Sequence, residues 1–332
     1  MSRDMIIALA VPVFVAWALI AMMRRSKWAA GFADEPNERS LHAVPTPRIG
    51  GLGLIAAALP IAALVSSNEI AIVLACAAAL CLVSLVDDVR DLAIPVRLAA
   101  QATCIVVAMV ALSAADAAHA RLGSVEAAFA FVAVLWMTNL FNFMDGSDGL
   151  AGGMALIGFA AFAAGAWAAQ EIPLALASAA VASAAAGFLV HNFPPARVFM
   201  GDAGSVPLGF LAGALGLYGI VREAWPTWFP LVVFSPFIVD ATVTLARRVA
   251  RGERPWRAHR SHYYQRLVLA GWSQRRLALC AYALMGLAAV AALLGRAAGA
   301  AIQLGILLGC AALYLPLLIA IERRAPRAVT TE

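Results

Sequence analysis

Ten acidic or amide side chains stand at the ends of long apolar segments of this chain, where polar groups are rare. An aspartate at the centre of a membrane-spanning helix costs about 2.5–3.5 kcal/mol, so a polar residue at membrane depth is by default a functional hypothesis. Carboxylate and amide oxygens also bind hard cations and can work as acids or bases. The ten residues that indicate a membrane-embedded enzyme are Asp87, Asp88, Asp91, Asn139, Asn142, Asp145, Asp148, Asn192, Asp202 and Asp240.

Three of these carboxylates, Asp87, Asp88 and Asp91, close one apolar segment. On a helix that continues through them, Asp87 and Asp91 lie four residues apart and share one face. Like charges at that spacing repel unless a cation or a proton intervenes, so a divalent ion or a carboxylate with a raised pKa is expected. The alternative is a solvated helix end in which Arg90 pairs with the acids.

A second group follows another apolar segment. Asn139, Asn142 and Asp145 recur every three residues, which predicts a polar stripe on an apolar helix. The glycines that follow should end the helix and bring Asp148 close to the ligand that Asp145 faces. Neutral and charged oxygens together suit a hard cation that also accepts substrate oxygens. The alternative is a stripe that only forms hydrogen bonds between helices.

The segment FMGDAGS, residues 199–205, places Asp202 between two glycines just before an apolar segment. Backbone N–H groups in such a loop can cradle a phosphate at a helix N-terminus while the carboxylate holds a metal. By itself the pattern is equally typical of a plain turn. Beside the two other acidic groups, it predicts a third wall of the same site.

Two basic segments complete the set of candidates. In residues 247–276, His259, Arg260 and His262 stand among many arginines, which suits recognition of a diphosphate; a loop held by anionic lipid is the alternative. In residues 24–48, His42 and Arg48 are candidate phosphate contacts. Two X-Pro units predict extended backbone around Arg48, and the glycines at 50, 51 and 53 would allow the chain to approach a ligand, unless this stretch is only a linker.

The composition determines the kind of protein that carries these residues. Because 63% of the chain is hydrophobic and only 13% is charged, a soluble globular domain is excluded. We predict an all-α polytopic membrane protein with about eleven spans in a single integral membrane domain, residues 1–332. The predicted spans are 5–23, 49–67, 70–86, 93–115, 125–144, 150–168, 174–191, 206–221, 228–246, 276–295 and 301–321.

The distribution of positive charge predicts how these spans are oriented. If the loop at 24–48 is cytoplasmic, all but four of the 24 Lys and Arg residues lie inside, as the positive-inside rule requires. This places the N-terminus in the periplasm, the C-terminus in the cytoplasm and the site on the cytoplasmic face. The predicted cytoplasmic loops are 24–48, 87–97, 145–149, 192–205 and 247–276. The net charge of +5 then reflects topology and contact with anionic lipid, not a nucleic-acid surface.

Five motifs follow one another on the predicted cytoplasmic side: DEPNERSLHAVPTPRIGG, DDVRDL, NLFNFMDGSDGLAGG, FMGDAGS and RSHYYQRL. In this order they resemble the polyprenyl-phosphate N-acetylhexosamine-1-phosphate transferases, the WecA/MraY-type membrane enzymes of glycosyltransferase family 4. The resemblance extends from about Asp34 to Leu267. It implies ten or eleven spans and the transfer of a sugar-1-phosphate from a UDP-sugar to undecaprenyl phosphate with Mg²⁺, or with Mn²⁺ in its place, releasing UMP.

The resemblance also implies roles for individual residues. It assigns Asp202 and Asn142 to the metal, and Asp145 and Asp148 to the nucleoside side of the substrate. Asp87 and Asp88 match the positions that contact the lipid phosphate or act as a base. Arg97, which precedes Gln101 by four residues, matches a basic family position, and Asn139 joins the substrate-binding set. Asp91, Asn192 and Asp240 receive no role.

Two departures narrow the subgroup. Asp91 stands where the peptidoglycan-precursor members have a lysine, and only His262 remains of their histidine triplet. His259 stands where many relatives have an aspartate. The chain is therefore more similar to members that begin O-antigen or other surface-glycan synthesis in the bacterial inner membrane, with the UDP-MurNAc-pentapeptide phosphotransferases of peptidoglycan synthesis as the alternative. A membrane transporter is disfavoured because the acids gather at one interface and no repeat is seen. The implied partners are undecaprenyl phosphate, a UDP-N-acetylhexosamine and membrane lipids, with a homodimer left open.

Overall fold

The computed structural model describes residues 3–35, 44–115, 123–254 and 259–325. Most of the described residues are helical, and two strands of two residues each form one small antiparallel pair. The elements in chain order are α1 (Arg3–Arg25), α2 (Trp28–Gly31), β1 (Ala33–Asp34), β2 (Thr46–Pro47), α3 (Gly50–Leu64), α4 (Asn68–Arg90), α5 (Ile94–Ala115), α6 (Ser124–Phe143), α7 (Leu150–Ala168), α8 (Ile172–Asn192), α9 (Asp202–Val221), α10 (Trp228–Val233), α11 (Ser235–Ala250), α12 (Tyr263–Leu269), α13 (Gln274–Gly295) and α14 (Ala300–Arg324).

Long apolar helices dominate the described part of the chain. Nine of the helices described have the length and composition to cross a membrane: α1, α4, α5, α6, α7, α8, α9, α13 and α14. Each holds 19 or more residues, which is close to the number that spans a hydrocarbon core of about 30 Å. The prediction of an all-α polytopic membrane protein is confirmed.

Two of the eleven predicted spans differ from their expected form. The predicted span 49–67 is the 15-residue helix α3, which ends at Leu64. The predicted span 228–246 is two helices, α10 and α11, which are divided at Phe234. Pro236 stands in the first turn of α11, where proline is tolerated because its missing N–H would have no partner there. In a continuous helix the same ring would clash with a carbonyl of the preceding turn, so the chain starts a new helix instead.

The helices α8 and α9 form the centre of the bundle. Their most apolar stretches are 83% buried, whereas the corresponding stretch of α14 is only 11% buried. Small residues make this centre dense because they let backbones approach closely. At Gly209 of α9, for example, a Cβ atom would lie 2.6 Å from the Met137 carbonyl oxygen of α6. The buried helix α9 therefore lies directly against α6, the helix that carries Asn139 and Asn142.

The loops predicted to be cytoplasmic meet at one end of the bundle. The Gly50 and Gly51 N–H groups donate to the Phe199 and Met200 carbonyl oxygens, both at 2.9 Å, so the start of α3 is tied to the loop before α9. The β1–β2 pair continues this connection, since the Phe199 N–H donates to the Pro47 carbonyl oxygen at 2.9 Å. The backbone is extended at Thr46 and Pro47, as the X-Pro units predict, and it bends at Arg48. These bonds bring the motifs at 46–53 and 199–205 into contact.

The glycines after Arg48 serve helix packing, so the prediction that they approach a ligand is wrong. A Cβ at Gly50 would lie 2.8 Å from the Phe199 carbonyl oxygen, and one at Gly51 would lie 2.5 Å from the Met200 carbonyl oxygen. A Cβ at Gly53 would collide with Ile20 of α1. The space next to these glycines is filled by protein, because α3 needs close contact with α1 and α9 to be held at the centre of the bundle.

Loops predicted to face the other side contact one another at the opposite end. Arg222, after α9, pairs with Glu171, before α8, at 3.4 Å. Arg296, after α13, donates to the Ala224 carbonyl oxygen at 2.9 Å. These two contacts place the loops before α8, after α9 and after α13 together, as the predicted topology requires.

Candidate active site

A cavity of about 200 Å³ opens between α4, α5, α6 and α9 at the end of the bundle where the motifs meet. Six of the lining residues are apolar: Leu80, Val83, Ile94, Leu98, Phe143 and Val206. The remaining lining is polar: Ser84, Asp87, Arg97, Gln101, Asn139, Asn142 and Asp202. Four of these polar residues, Asp87, Asn139, Asn142 and Asp202, come from three different motifs, so the structure brings the predicted acidic groups to one place.

Asp87 occupies the end of α4 and accepts two hydrogen bonds. Its Oδ1 accepts from the Leu92 N–H at 2.7 Å, and its Oδ2 accepts from Arg97 Nη1 at 2.9 Å. The Asp87 side chain is 9% exposed and that of Arg97 is 39% exposed, so the ion pair lies at the edge of the cavity. A partly buried, charge-assisted bond of this kind holds both side chains in one geometry.

Asp91 does not share a helix face with Asp87, and that prediction is wrong. The helix α4 ends at Arg90, and Asp91 has a φ of 49°, a left-handed conformation that ends helices. Its N–H still donates to the Asp87 carbonyl oxygen at 2.8 Å, but its side chain is exposed. The repulsion between the two carboxylates is therefore avoided by leaving the helix, and Asp87 gains Leu92 and Arg97 as partners.

Asp88, the other acid of this group, is exposed at the end of α4. It lies within electrostatic reach of Asp202, Arg48 and Asp87. The two neighbouring carboxylates Asp87 and Asp88 thus have different surroundings, one paired with arginine and the other open to solvent.

Asn139 connects α6 to α5 through Gln101. The Asn139 Nδ2 donates to Gln101 Oε1 at 2.8 Å and to the Leu135 carbonyl oxygen at 2.8 Å. Gln101 returns a longer contact of 3.5 Å to Asn139 Oδ1. Because Gln101 lies one helical turn after Arg97, this amide pair supports the helix face that presents the arginine.

Asn142 stands between Ser205 and Asp202. Ser205 Oγ donates to Asn142 Oδ1 at 2.7 Å, and Asn142 Nδ2 contacts Asp202 Oδ2 at 3.4 Å. The amide thus turns its nitrogen toward the carboxylate and its oxygen toward the serine. As a metal ligand, Asn142 would have to present its oxygen, which a half-turn of the amide would achieve at the cost of the Ser205 bond.

Asp145 lies beyond the helix because α6 ends at Phe143, so the predicted stripe stops at Asn142. Burial raises the pKa of the Asp145 carboxyl well above its ordinary value, and the nearby Asp202 carboxylate raises that pKa further. A backbone hydrogen bond with Gly201 and the charge of Arg48 oppose this rise. Two carboxyl groups that repel each other in a buried place favour either a proton or a cation between them.

Asp148 and Asn192 join the loop before α7 to the loop after α8. Asp148 Oδ2 accepts from the Ala196 N–H at 2.9 Å. Asn192 Oδ1 accepts from the Gly149 N–H at 2.9 Å, and its Nδ2 donates to the Val198 carbonyl oxygen at 2.9 Å. The structure therefore gives Asp148 a partner in the loop after α8, and it gives Asn192 a structural role as the link between the two loops.

His262 is buried against Asp240 of α11. Its Nδ1 lies 3.2 Å from Asp240 Oδ1, and the same carboxylate accepts the Tyr263 and Tyr264 N–H groups at 2.9 and 3.0 Å. The Tyr264 hydroxyl donates to the Phe143 carbonyl oxygen at 3.2 Å, at the end of α6. Asp240, which had no predicted role, thus fixes the start of α12 and the imidazole together, next to the helix end that lines the cavity.

His259 and Arg260 precede His262 on the same loop, and none of the three lines the cavity. The His259 ring centre lies 4.9 Å from that of His262, and its Nδ1 accepts the Ser261 N–H at 3.2 Å. Burial lowers the pKa of His259 to about 3, with the His262 and Arg248 charges acting in the same direction. His259 is therefore neutral at physiological pH.

The remaining candidates belong to the segment before α3. Arg48 forms an ion pair with Asp34 across the β1–β2 pair and lies within electrostatic reach of Asp145, Asp88 and Asp202. His42 lies outside the described residues. The structure places Arg48 near these three carboxylates. The role of His42 stays a prediction.

Comparison with known proteins shows which family has this arrangement. Residues 70–220 match the model of a family described as glycosyl transferase family 4. A decaprenyl-phosphate N-acetylglucosaminephosphotransferase of Mycobacterium leprae is 30% identical over 298 residues, which cover 77% of this chain and 75% of that protein. The chain belongs to glycosyl transferase family 4.

Other family 4 relatives refine the predicted subgroup. A probable undecaprenyl-phosphate N-acetylglucosaminyl 1-phosphate transferase of Bacillus subtilis is 26% identical over 83% of this chain and 81% of its own length. A phospho-N-acetylmuramoyl-pentapeptide-transferase of Halalkalibacterium halodurans is 35% identical, but only over 44% of each chain. The predicted family is confirmed, and the long matches favour the N-acetylglucosaminyl group over the peptidoglycan alternative.

Two residues of this family 4 site were missed in the sequence. Ser205 follows Asp202 by three residues, so on a helix it lies on the same face, and this spacing could have indicated it. Tyr264 contacts the end of α6 from 121 residues away, and no local pattern indicates such a contact.

The donor groups of the family 4 site fit magnesium. No cluster of three or more His, Cys, Asp or Glu side chains that could hold a metal exists among the described residues. Mg²⁺ does not require one, because it is usually bound by one or two carboxylates together with substrate phosphates and water. Asp202 supplies one such carboxylate at the cavity, and the charge repulsion among Asp202, Asp145 and Asp88 would be relieved by a cation.

Proposed function

We propose that this family 4 protein transfers an N-acetylhexosamine 1-phosphate from a UDP-sugar to undecaprenyl phosphate in the bacterial inner membrane, with UMP as the second product. The donor sugar that we expect first is N-acetylglucosamine, because it appears in the names of the relatives that match most of the chain. The step would begin synthesis of an O-antigen or a related surface glycan.

The observation that carries this proposal is the convergence of Asp87, Arg97, Asn142 and Asp202 on one cavity that also has apolar lining residues. Two anionic substrates have to meet in such a reaction, one with a long apolar tail and one soluble. A cavity lined by both apolar and charged side chains, at the end of membrane-spanning helices, suits the phosphate of a lipid and the diphosphate of a nucleotide sugar.

Asp202 would hold Mg²⁺ together with Asn142 and substrate oxygens, and Mn²⁺ is an alternative ion. When bound, the ion would neutralise negative charge on the diphosphate. Phosphoryl transfer asks little covalent chemistry of a protein, so catalysis depends on placing the two substrates and on compensating their charge. The side chains around the cavity would bind and orient the two substrates.

Arg97 is the residue that we assign to the phosphate of the lipid. The Asp87 carboxylate holds one edge of its guanidinium, which leaves other N–H groups of the fork for phosphate oxygens. Both Asp87 oxygens already accept hydrogen bonds, so Asp87 is better suited to orienting Arg97 than to taking up a proton. Asp88, which is exposed nearby, is the carboxylate we assign to proton transfer from the lipid phosphate.

The nucleotide sugar would lie on the side of Asp145 and the histidine loop. His262, Arg260 and Arg48 would contact the diphosphate, and His259 would contribute hydrogen bonds only, because it is uncharged. The lipid phosphate oxygen would then attack the β-phosphorus of the UDP-sugar, and the bond to the UMP oxygen would break. Since the soluble substrate is cytoplasmic, this geometry requires the site to face the cytoplasm, as the charge distribution predicts.

A direct assay tests the proposal. Purified full-length protein would be mixed with undecaprenyl phosphate and a panel of UDP-N-acetylhexosamines, and UMP release would be followed with Mg²⁺, with Mn²⁺ and with a chelator. We expect UMP release that depends on both the lipid and the divalent ion. No UMP from any sugar, in a preparation whose thermal unfolding is cooperative, would refute the proposal.

A further inference from the structure

The last helix, α14, ends in a cluster of polar contacts with the segment that carries His262. Glu322 Oε1 accepts from Arg266 Nη1 at 3.3 Å and from the Tyr263 hydroxyl at 3.2 Å. Arg247 of α11 forms an ion pair with the same carboxylate. One side chain of α14 therefore binds both α11 and α12.

These contacts surround a hydrophobic cluster that is separate from the main core of the described residues. Tyr263, Ile321 and Ala325 are buried in it. The partly buried side chains of Val243, Leu267 and Leu318 pack around them. The end of α14 thus shares a small core with α11 and α12, whereas the rest of the helix is largely exposed at the outside of the bundle.

The Glu322 carboxylate compensates the charges of two arginines, Arg247 and Arg266. The Arg247 and Arg266 guanidinium groups lie 5.7 and 5.4 Å from the centre of the Tyr263 ring. Arg266 is 7% exposed, so its charge is costly to bury without a partner. Without the Glu322 carboxylate, two cations would flank one ring and repel each other.

The position of His262 depends on the same elements. His262 is followed directly by Tyr263 and α12, and its ring faces Asp240 of α11. Asp240 fixes the backbone of Tyr263 and Tyr264 from one side. Glu322 holds the Tyr263 and Arg266 side chains from the other side.

We propose that Glu322 is a positioning residue for the catalytic site: through Tyr263 and Arg266 it holds α12, and thereby His262, against Asp240. The consequence for activity rests on the proposed function, in which His262 contacts the diphosphate. The structural part does not, because it concerns the order of residues 259–269 in the free protein. The outermost helix is then a part of the site, although it follows the region that matches the family model.

The experiment measures hydrogen–deuterium exchange in lipid nanodiscs, without substrate. It compares the Glu322→Ala variant with the unaltered protein. We expect exchange of the amides in residues 263–269 to become at least tenfold faster, because α12 loses the contacts of Tyr263 and Arg266 with Glu322. Glu322→Gln retains an acceptor for the Tyr263 hydroxyl but loses the charge. Its exchange rate should lie between those of the unaltered protein and of Glu322→Ala. Unchanged exchange in Glu322→Ala would overturn the proposal.

A matched control lies on the same helix. Gln303→Ala removes the contact of 3.1 Å between Gln303 and Trp228, which attaches the other end of α14. It should leave exchange of residues 263–269 unchanged. Equal acceleration in both variants would mean that any loosening of α14 disorders the segment, and it would overturn a specific role for Glu322.

The kinetic readout separates this inference from the proposed function. In Glu322→Ala we expect the KM for the UDP-sugar to rise about five- to tenfold and the KM for undecaprenyl phosphate to stay within twofold. If the unaltered protein releases no UMP, the proposed function fails while the exchange result still decides the role of Glu322. If exchange accelerates but neither KM nor kcat changes, Glu322 orders α12 without serving the site, and the positioning role is refuted.

Discussion

Arg97 donates to Asp87 across 2.9 Å, from the first turn of one transmembrane helix to the last turn of the one before it. The pair closes the short connection between α4 and α5 and lies at the edge of the cavity. The Asp87 carboxylate, at the end of α4, holds the Arg97 guanidinium at the edge of the cavity. In the proposed function, the remaining N–H groups of Arg97 would bind the lipid phosphate.

The first prediction concerns this pair. Asp87→Asn removes the charge that orients Arg97, and we expect kcat to fall by about 10²–10³, the usual cost of losing one preorganised electrostatic contact. UMP release at saturating substrates is the measurement. Asp91→Asn is the matched control, since its carboxylate is exposed and has left the helix. Comparable losses in the two variants would contradict the separation of their roles.

The second prediction concerns the metal. Asp202→Asn replaces the cavity carboxylate that we assign to Mg²⁺, so the transfer rate should become nearly independent of added Mg²⁺ and should fall by about 10² or more. A titration of initial rate against Mg²⁺ and Mn²⁺ is the measurement. Near-normal, Mg²⁺-dependent transfer in a cooperatively folded Asp202→Asn preparation would show that the metal assignment is wrong.

The third prediction concerns Ser205, which holds the Asn142 amide. Ser205→Ala leaves the amide oxygen without its donor, and we expect the free energy of unfolding to fall by about 1 kcal/mol. The Mg²⁺ concentration for half-maximal rate should change severalfold, because Asn142 is released from one orientation. Thermal unfolding and a Mg²⁺ titration measure these effects.

Ser178→Ala is the control for that prediction. Ser178 is also fully buried, but its hydroxyl finds no hydrogen-bond partner within the described ranges. Its removal should leave stability and Mg²⁺ dependence unchanged. A loss of stability in Ser178→Ala as large as that in Ser205→Ala would assign both effects to the missing volume, not to the contact with Asn142.

The fourth prediction concerns pH. The pKa of His259 is lowered to about 3 in the folded protein, below its ordinary value near 6.5. The unfolded chain therefore binds a proton more readily, so the folded state loses stability as the pH falls through 6.5 toward 3. The midpoint of thermal unfolding should decline over this window. His259→Gln should flatten the decline, and an identical pH profile in that variant would contradict the assignment.

Local patterns in the sequence were enough to predict much of the fold. Apolar runs of about 20 residues indicate spans because membrane thickness sets the helix length, and nine of the helices described have that form. Deviations occur where a single residue acts against the pattern. Pro236 divides the predicted ninth span, and Asp91 adopts a left-handed conformation where a continuous helix was predicted.

Most residues of the site could also be predicted from the sequence, because a polar side chain at the end of an apolar run is costly and indicates a function. The partners of these residues could not be predicted. Asp240 holds His262 from 22 residues away, and Glu322 holds Tyr263 from 59 residues away. Spacing along a chain carries information only about neighbours on one helix, so it cannot show which helices pack together.

The sequence by itself thus determined the class of protein, its family and the set of polar residues at the helix ends, since these follow from hydropathy and from the order of motifs. Only the tertiary structure decided how each residue is used: Asp87 to orient Arg97, Asp148 and Asn192 to tie loops, and the glycines after Arg48 to pack helices. The physical reason is that a side chain's role depends on the atoms within a few ångströms of it, and in this bundle those atoms come from distant parts of the chain.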